Sequence, residues 1–123
     1  MYDGKMVIAF DVDDTLIIPG FVLDYKGSIP NYDTVAIYKW FQAQGCIMVV
    51  WSGGGIDYAK MWGEKLGLNP DFYWSKEANP YVDIAFDDCD VKLGTVNVKV
   101  KRINNHISRE SWNDHEKYGS ENN

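Results

Sequence analysis

Met6-Val7-Ile8-Ala9-Phe10-Asp11-Val12-Asp13-Asp14-Thr15 is the stretch that decides the fold. Its apolar half is short, continuous and rich in strand formers, and it stops abruptly at acidic residues. A run of that kind suits a strand buried on both faces and ended by a polar turn. The same pattern recurs downstream. Cys46-Ile47-Met48-Val49-Val50-Trp51 ends at Ser52-Gly53-Gly54-Gly55, and Val82-Asp83-Ile84-Ala85-Phe86 ends at Asp87-Asp88. Phe72-Tyr73-Trp74 is a shorter strand candidate, and Thr95 to Val100 alternates with high strand propensity.

The intervening segments have helical rather than strand period. Asn31 or Asp33 can cap a helix with apolar positions Val35, Ile37, Tyr38, Trp40 and Phe41, and Gly45 ends it. A second helix carries Asp57 in its first turn and Ala59, Met61, Trp62 and Leu66 on its apolar side, with Gly67 at the stop. Ile17 to Pro30 contains Pro19, Gly20 and Gly27 and reads as a loop or small hairpin. The alternation predicts an α/β fold: a Rossmann-like, three-layer arrangement with a mainly parallel sheet and helices on both faces. Such sheets bind ligands beyond the carboxyl ends of their strands. Those ends carry Asp11 and Asp13, then Ser52, then Asp87 and Asp88.

Bulk properties narrow the function. The 123 residues, 46% hydrophobic and 24% charged, suit one globular domain over 1–103, with a polar tail over 104–123 that is expected to be flexible. A net charge of −6 and a pI near 4.7 disfavour binding to a nucleic-acid backbone by charge alone. The basic strip Lys99, Lys101 and Arg102 reads as a solvated strand edge. Cys46 and Cys89 have neither C-x-x-C spacing nor a disulfide-framework pattern, which predicts a reducing, cytoplasmic setting. Met1 to Lys5 has no signal-peptide pattern, and no apolar run is long enough to span a bilayer. Trp40, Phe41, Trp51 and Trp62 are expected in the core, whereas Tyr25, Trp74 and Tyr81 are the candidates for stacking on a base. His106 and His115 have no ligand-like spacing and read as surface residues.

If the strand ends converge, their carboxylates repel one another, by about 4 kcal/mol per pair at 4 Å and a surface-like dielectric. That repulsion calls for a cation. Oxygen donors without histidine favour a hard ion, Mg²⁺ first and Ca²⁺ or Mn²⁺ behind it.

Phe10-Asp11-Val12-Asp13-Asp14-Thr15-Leu16 resembles the first motif of the haloacid dehalogenase superfamily, an aspartate, any residue, an aspartate, any residue, then threonine. Val49-Val50-Trp51-Ser52-Gly53 resembles its second motif and Ile84-Ala85-Phe86-Asp87-Asp88 its fourth, while Lys76 stands where smaller members place the third-motif lysine. All four occur in family order between Met6 and Asp88. The resemblance implies a small phosphatase without a cap domain. Asp11 would be the nucleophile, and Asp13 the general acid and base. Ser52 with the Gly53 and Gly54 amides, together with Lys76, would hold the phosphoryl group. Mg²⁺ would lie between Asp11, the Asp13 carbonyl, Asp87 and Asp88.

Lys60 is the rival to Lys76, but from its helix it would have to reach back about 7 Å along the axis. Too few residues lie between Leu16 and Asn31 for a folded cap, so the site should be open. The implied partner is a phosphorylated substrate, with a nucleotide or nucleic-acid end among the options. A weaker likeness to polynucleotide 3′-phosphatase domains lacks the basic residue often found after the serine, where Gly53 stands. A non-catalytic binding protein with the same fold is the other alternative.

Overall fold

The computed structural model describes residues 4–20, 27–78 and 80–103. The readings of Tyr25, His106, His115 and the 104–123 tail lie outside these. The described residues form an α/β fold around a five-stranded, all-parallel sheet. In chain order come β1 (Val7–Asp11), β2 (Ile17–Ile18), β3 (Ile29–Pro30), α1 (Tyr32–Ala43), β4 (Ile47–Trp51), α2 (Ile56–Lys65), β5 (Phe72–Trp74), a short 3₁₀ turn (Lys76–Ala78), β6 (Ile84–Asp87) and β7 (Val96–Lys99). The sheet order is β5-β4-β1-β6-β7, and β2 and β3 form a separate antiparallel pair, the small hairpin expected before Asn31.

β1 is central, and every one of its residues is buried, which explains its unbroken apolar run. Its register with β4 aligns Asp11 with Trp51, and its register with β6 aligns Phe10 with Phe86. The ends of β1, β4 and β6 therefore lie side by side, and their polar residues emerge along one edge. The opposite edge is finished differently. There Asp83 Oδ2 accepts from the Val7 amide at 2.7 Å and Asp71 Oδ2 from the Met48 amide at 2.8 Å, so these two aspartates satisfy strand-starting donors.

Residues Ile8, Phe10, Met48, Val50 and Phe86 point to one face and form a single core with Val35, Tyr38 and Phe41 of α1 and Ala59 and Trp62 of α2. Phe10 stacks on Phe86 with ring centres 4.4 Å apart and meets Tyr38 edge-on. The other face carries Val7, Ala9, Val49, Trp51 and Ala85, joined by Val82 and Leu93 from connecting segments. Neither α1 nor α2 contributes to it. The expected helices on both faces are thus not found among the described residues, because the β5–β6 and β6–β7 connections hold only the 3₁₀ turn and loop. Phe72 and Trp74 stack on each other on that second face, and Trp74 is accordingly a packing residue.

Asn31, rather than Asp33, caps α1, its side chain accepting from the Thr34 amide. Side chains of α1 also close the end of α2: Tyr38 donates to the Leu68 carbonyl at 3.1 Å, Lys39 to that of Gly67 and Gln42 to that of Leu68. Gly45 and Gly67 stop the two helices at positive φ, as their positions predicted. One aromatic departs from expectation. Trp40 is 59% exposed, because helical spacing turns it away from the face that Tyr38 and Phe41 present to the sheet. No helix among the described residues is long and apolar enough to cross a membrane.

Candidate functional site

The polar residues at the carboxyl edge are assembled by strand register and one returning turn. Asp11, Ser52, Asp87 and Asp88 are all buried. After Asp11 the chain doubles back tightly, and the amides of Thr15, Leu16 and Ile17 all donate to the Val12 carbonyl. Asp14 takes a positive φ of 61° in that turn, a conformation that aspartate tolerates better than most residues. Thr15 is thereby placed to donate its hydroxyl to Asp11 Oδ2 at 3.2 Å.

Lys76, carried by the 3₁₀ turn after β5, reaches across the edge to both strands. Its ammonium lies 2.7 Å from Asp11 Oδ1 and 2.8 Å from Asp87 Oδ2. These charge-assisted bonds raise the lysine above its ordinary pKa despite the opposing effect of burial, so it is a firm cation. Lys60 is exposed on α2, and none of the ion pairs among the described residues involves it. Of the two lysines weighed from sequence, Lys76 is the one at the carboxylates.

Asp88 is held by Arg102, whose Nε donates to Asp88 Oδ2 at 2.6 Å. Arg102 follows β7 in the strip read as a solvated strand edge. Lys99 and Lys101 fit that reading and Arg102 does not. Asp87 Oδ1 accepts from the Cys89 amide, and the Cys89 thiol lies beside Asp88 and Arg102.

Asp13 turns toward α2 instead, where the Tyr58 hydroxyl donates to its Oδ1 at 2.6 Å. Ser52 closes its own turn, its Oγ accepting from the Gly54 amide at 3.0 Å. Gly55 then caps α2, so Ser52 is not a helix cap. Gly54 is glycine for a steric reason as well, since a Cβ there would lie 3.1 Å from Tyr58 Cδ2. Gly53 is exposed at the tip of the same turn.

Burial raises the Asp11 carboxyl to about 8; Lys76 opposes this, while Asp87 and Asp88 add to it. Asp14 is raised to about 6, first by burial and then by the charge of Asp88, with Arg102 opposing. Burial also pushes Asp88 upward, but bonds from Asp11 and Arg102 prevail and leave it below its ordinary value. The edge therefore has more negative charge than Lys76 and Arg102 offset, and a proton held by Asp11 relieves the excess.

The edge has donors that could hold a metal ion. The carboxylates supply oxygen, and Asp14 Oδ1 is buried without a hydrogen-bond partner. Of the three expected side-chain ligands, Asp87 and Asp88 share one close group of donors and Asp11 is not part of it. Asp87, Asp88 and Cys89 are the group whose donor atoms lie within 4.8 Å of one another. Lys76 stands between Asp11 and Asp87, while Tyr58 engages only the side chain of Asp13, whose expected donor is the backbone carbonyl. Tyr58, Arg102, Asp14 and Cys89 were not expected at the site from the sequence. Only Asp14 and Cys89 carried a signal, their adjacency to the paired acids.

No family description, curated protein or solved structure matches this chain.

Proposed function

We propose that this protein is a Mg²⁺-dependent phosphohydrolase that cleaves a phosphate monoester through an aspartyl-phosphate on Asp11. One observation carries the reading: Asp11 and Asp87, on adjacent parallel strands, share the ammonium of Lys76 at the edge where Ser52 also emerges. The resemblance to the haloacid dehalogenase superfamily agrees with it. So does the strand order, which sets the Ser52 strand on one side of β1 and the Asp87 strand on the other. A capless architecture of that superfamily belongs to the same proposal.

In this mechanism Asp11 attacks phosphorus in line as its carboxylate, the form that a bound cation would favour over the protonated one, and Lys76 offsets charge on the nucleophile and on the phosphoryl oxygens. Ser52 and the amides of its glycine turn bind those oxygens, with the N-terminus of α2 behind them. The Gly54 amide, now bonded to Ser52 Oγ, would have to share that bond with substrate. Asp13 gives a proton to the leaving oxygen and later takes one from the attacking water. Mg²⁺, when bound, neutralises phosphoryl charge, and Asp11, the Asp13 carbonyl, Asp87 and Asp88 are the residues that would hold it. A phosphorylated small molecule, nucleotide or nucleic-acid 3′ end is the substrate class.

The test is hydrolysis of p-nitrophenyl phosphate with and without Mg²⁺, by the wild type and by Asp11→Asn. Metal-dependent turnover that falls to background in Asp11→Asn is expected. Turnover that survives the substitution rules out Asp11 as nucleophile. A second reading, a binding module without turnover, draws on the pairing of Asp11, Asp87 and Asp88 with Lys76 and Arg102. It predicts metal binding by calorimetry and no hydrolysis across a broad phosphate panel.

A further inference from the structure

Tyr58 belongs to none of the motifs, yet it touches two parts of the site. Its hydroxyl donates to Asp13 Oδ1 at 2.6 Å, across 45 residues of sequence. Its ring packs against the sheet-facing core and lies beneath the glycine turn, where a Cβ on Gly54 would be 3.3 Å from Cγ and 3.4 Å from Ser52 Oγ. One rigid side chain thus sets the distance between the Ser52 turn and the Asp13 carboxyl. A tyrosine hydroxyl keeps its proton at neutral pH and acts as a fixed donor.

Resting on the phosphatase reading above, we propose that Tyr58 is a positioning residue that orients Asp13 for proton transfer to the leaving oxygen. In the first step an Asp11 oxygen bonds to phosphorus, the bond from phosphorus to the leaving oxygen breaks, and that oxygen takes the proton of Asp13. Asp13 becomes a carboxylate as this happens, and the Tyr58 hydroxyl is already aimed at the oxygen on which charge develops. In the second step a water loses a proton to Asp13 and bonds to phosphorus. The bond from phosphorus to Asp11 then breaks, which releases inorganic phosphate and restores both side chains. A donor fixed before the reaction stabilises developing charge without reorganisation.

This role depends on the leaving group. A nitrophenolate departs without a proton, whereas an alkoxide needs one. The experiment compares p-nitrophenyl phosphate with glycerol phosphate in Mg²⁺, using wild type, Tyr58→Phe, Asp13→Asn and the double variant. Phenylalanine keeps the ring against Gly54 and deletes only the hydroxyl, and circular dichroism checks the fold.

In Tyr58→Phe the ratio of kcat on glycerol phosphate to kcat on p-nitrophenyl phosphate should fall about 10- to 100-fold, a part of the roughly 100- to 10,000-fold that positioned acid catalysis contributes. In the Asp13→Asn background the same substitution should leave that ratio unchanged, because the partner is already gone. Equal losses on both substrates, no loss, or a further drop in the double variant overturns the positioning role. Asp11→Asn, run alongside, separates the two claims. Its inactivity with an unchanged ratio in Tyr58→Phe sinks Tyr58 alone, and residual Asp11→Asn turnover or an inactive wild type sinks both.

Discussion

Replacing Asp11 by asparagine should make the metal-free protein more stable while removing its activity. The Asp11 carboxyl titrates near 3.8 in the unfolded chain and at about 8 in the fold. A raised acid pKa means that the unfolded state loses its proton first, so folding is penalised progressively as pH rises above 3.8 and up to about 8. Integrated to pH 7, at about 1.4 kcal/mol per pH unit, the penalty is about 4 kcal/mol; at pH 5 it is about 2 kcal/mol.

Asparagine carries no such penalty. With its amide oxygen toward Lys76, its nitrogen faces the Thr15 hydroxyl and cannot accept from it, which costs about 1–3 kcal/mol. Lys76 keeps Asp87 at 2.8 Å, and the amide oxygen of asparagine can still accept from it. The expected net gain at pH 7 is about 2 kcal/mol, equivalent to about 8 °C in Tm for a domain of this size. At pH 5 the gain should vanish.

Thermal unfolding followed by circular dichroism, in chelator at both pH values, measures this directly. Added Mg²⁺ should then stabilise the wild type, by about 2.7 kcal/mol at a hundred times Kd, and the variant much less. A variant less stable than wild type at pH 7 in chelator, or a gain undiminished at pH 5, would refute the claim that Asp11 is held at a cost in the fold.

Two other outcomes follow from particular contacts. Lys76→Met should cut turnover and should destabilise the metal-free protein by about 3 kcal/mol, since it leaves two buried carboxylates facing each other, whereas Lys60→Met should change neither; kinetics and denaturant titration of the pair check this. Gly63→Ala should lower stability by about 1–3 kcal/mol in urea titration, although alanine is the better helix former, because its Cβ would come within 2.6 Å of Tyr73 Cε1.

Much of the fold was legible because the main signals are local. A buried central strand must be apolar at every position, as Val7 to Phe10 are, and a helix against one face must repeat its apolar residues, as Tyr38 and Phe41 do. Capping and stop residues are local too, hence Asn31, Gly45 and Gly67. Which face each helix covers is not a local property, and the expectation of helices on both faces came from general topology alone. Trp40 and Met61 show a related limit. A hydrophobic side chain near the margin of a helix's apolar stripe turns to solvent according to how the helix is rotated against the sheet.

For the site, the residue types at the strand ends were determined by the sequence alone. A run of buried apolar residues ending in acid or serine places those side chains at the sheet's carboxyl edge, since a polar group can leave a strand only where the core stops. Their partners were decided only by tertiary structure. Lys76 rather than Lys60, Arg102 on Asp88 and Tyr58 on Asp13 are contacts made across 11 to 65 residues. The reason is physical: strand order and helix rotation bring distant side chains within hydrogen-bonding distance, and neither is encoded in any window short enough to read by eye.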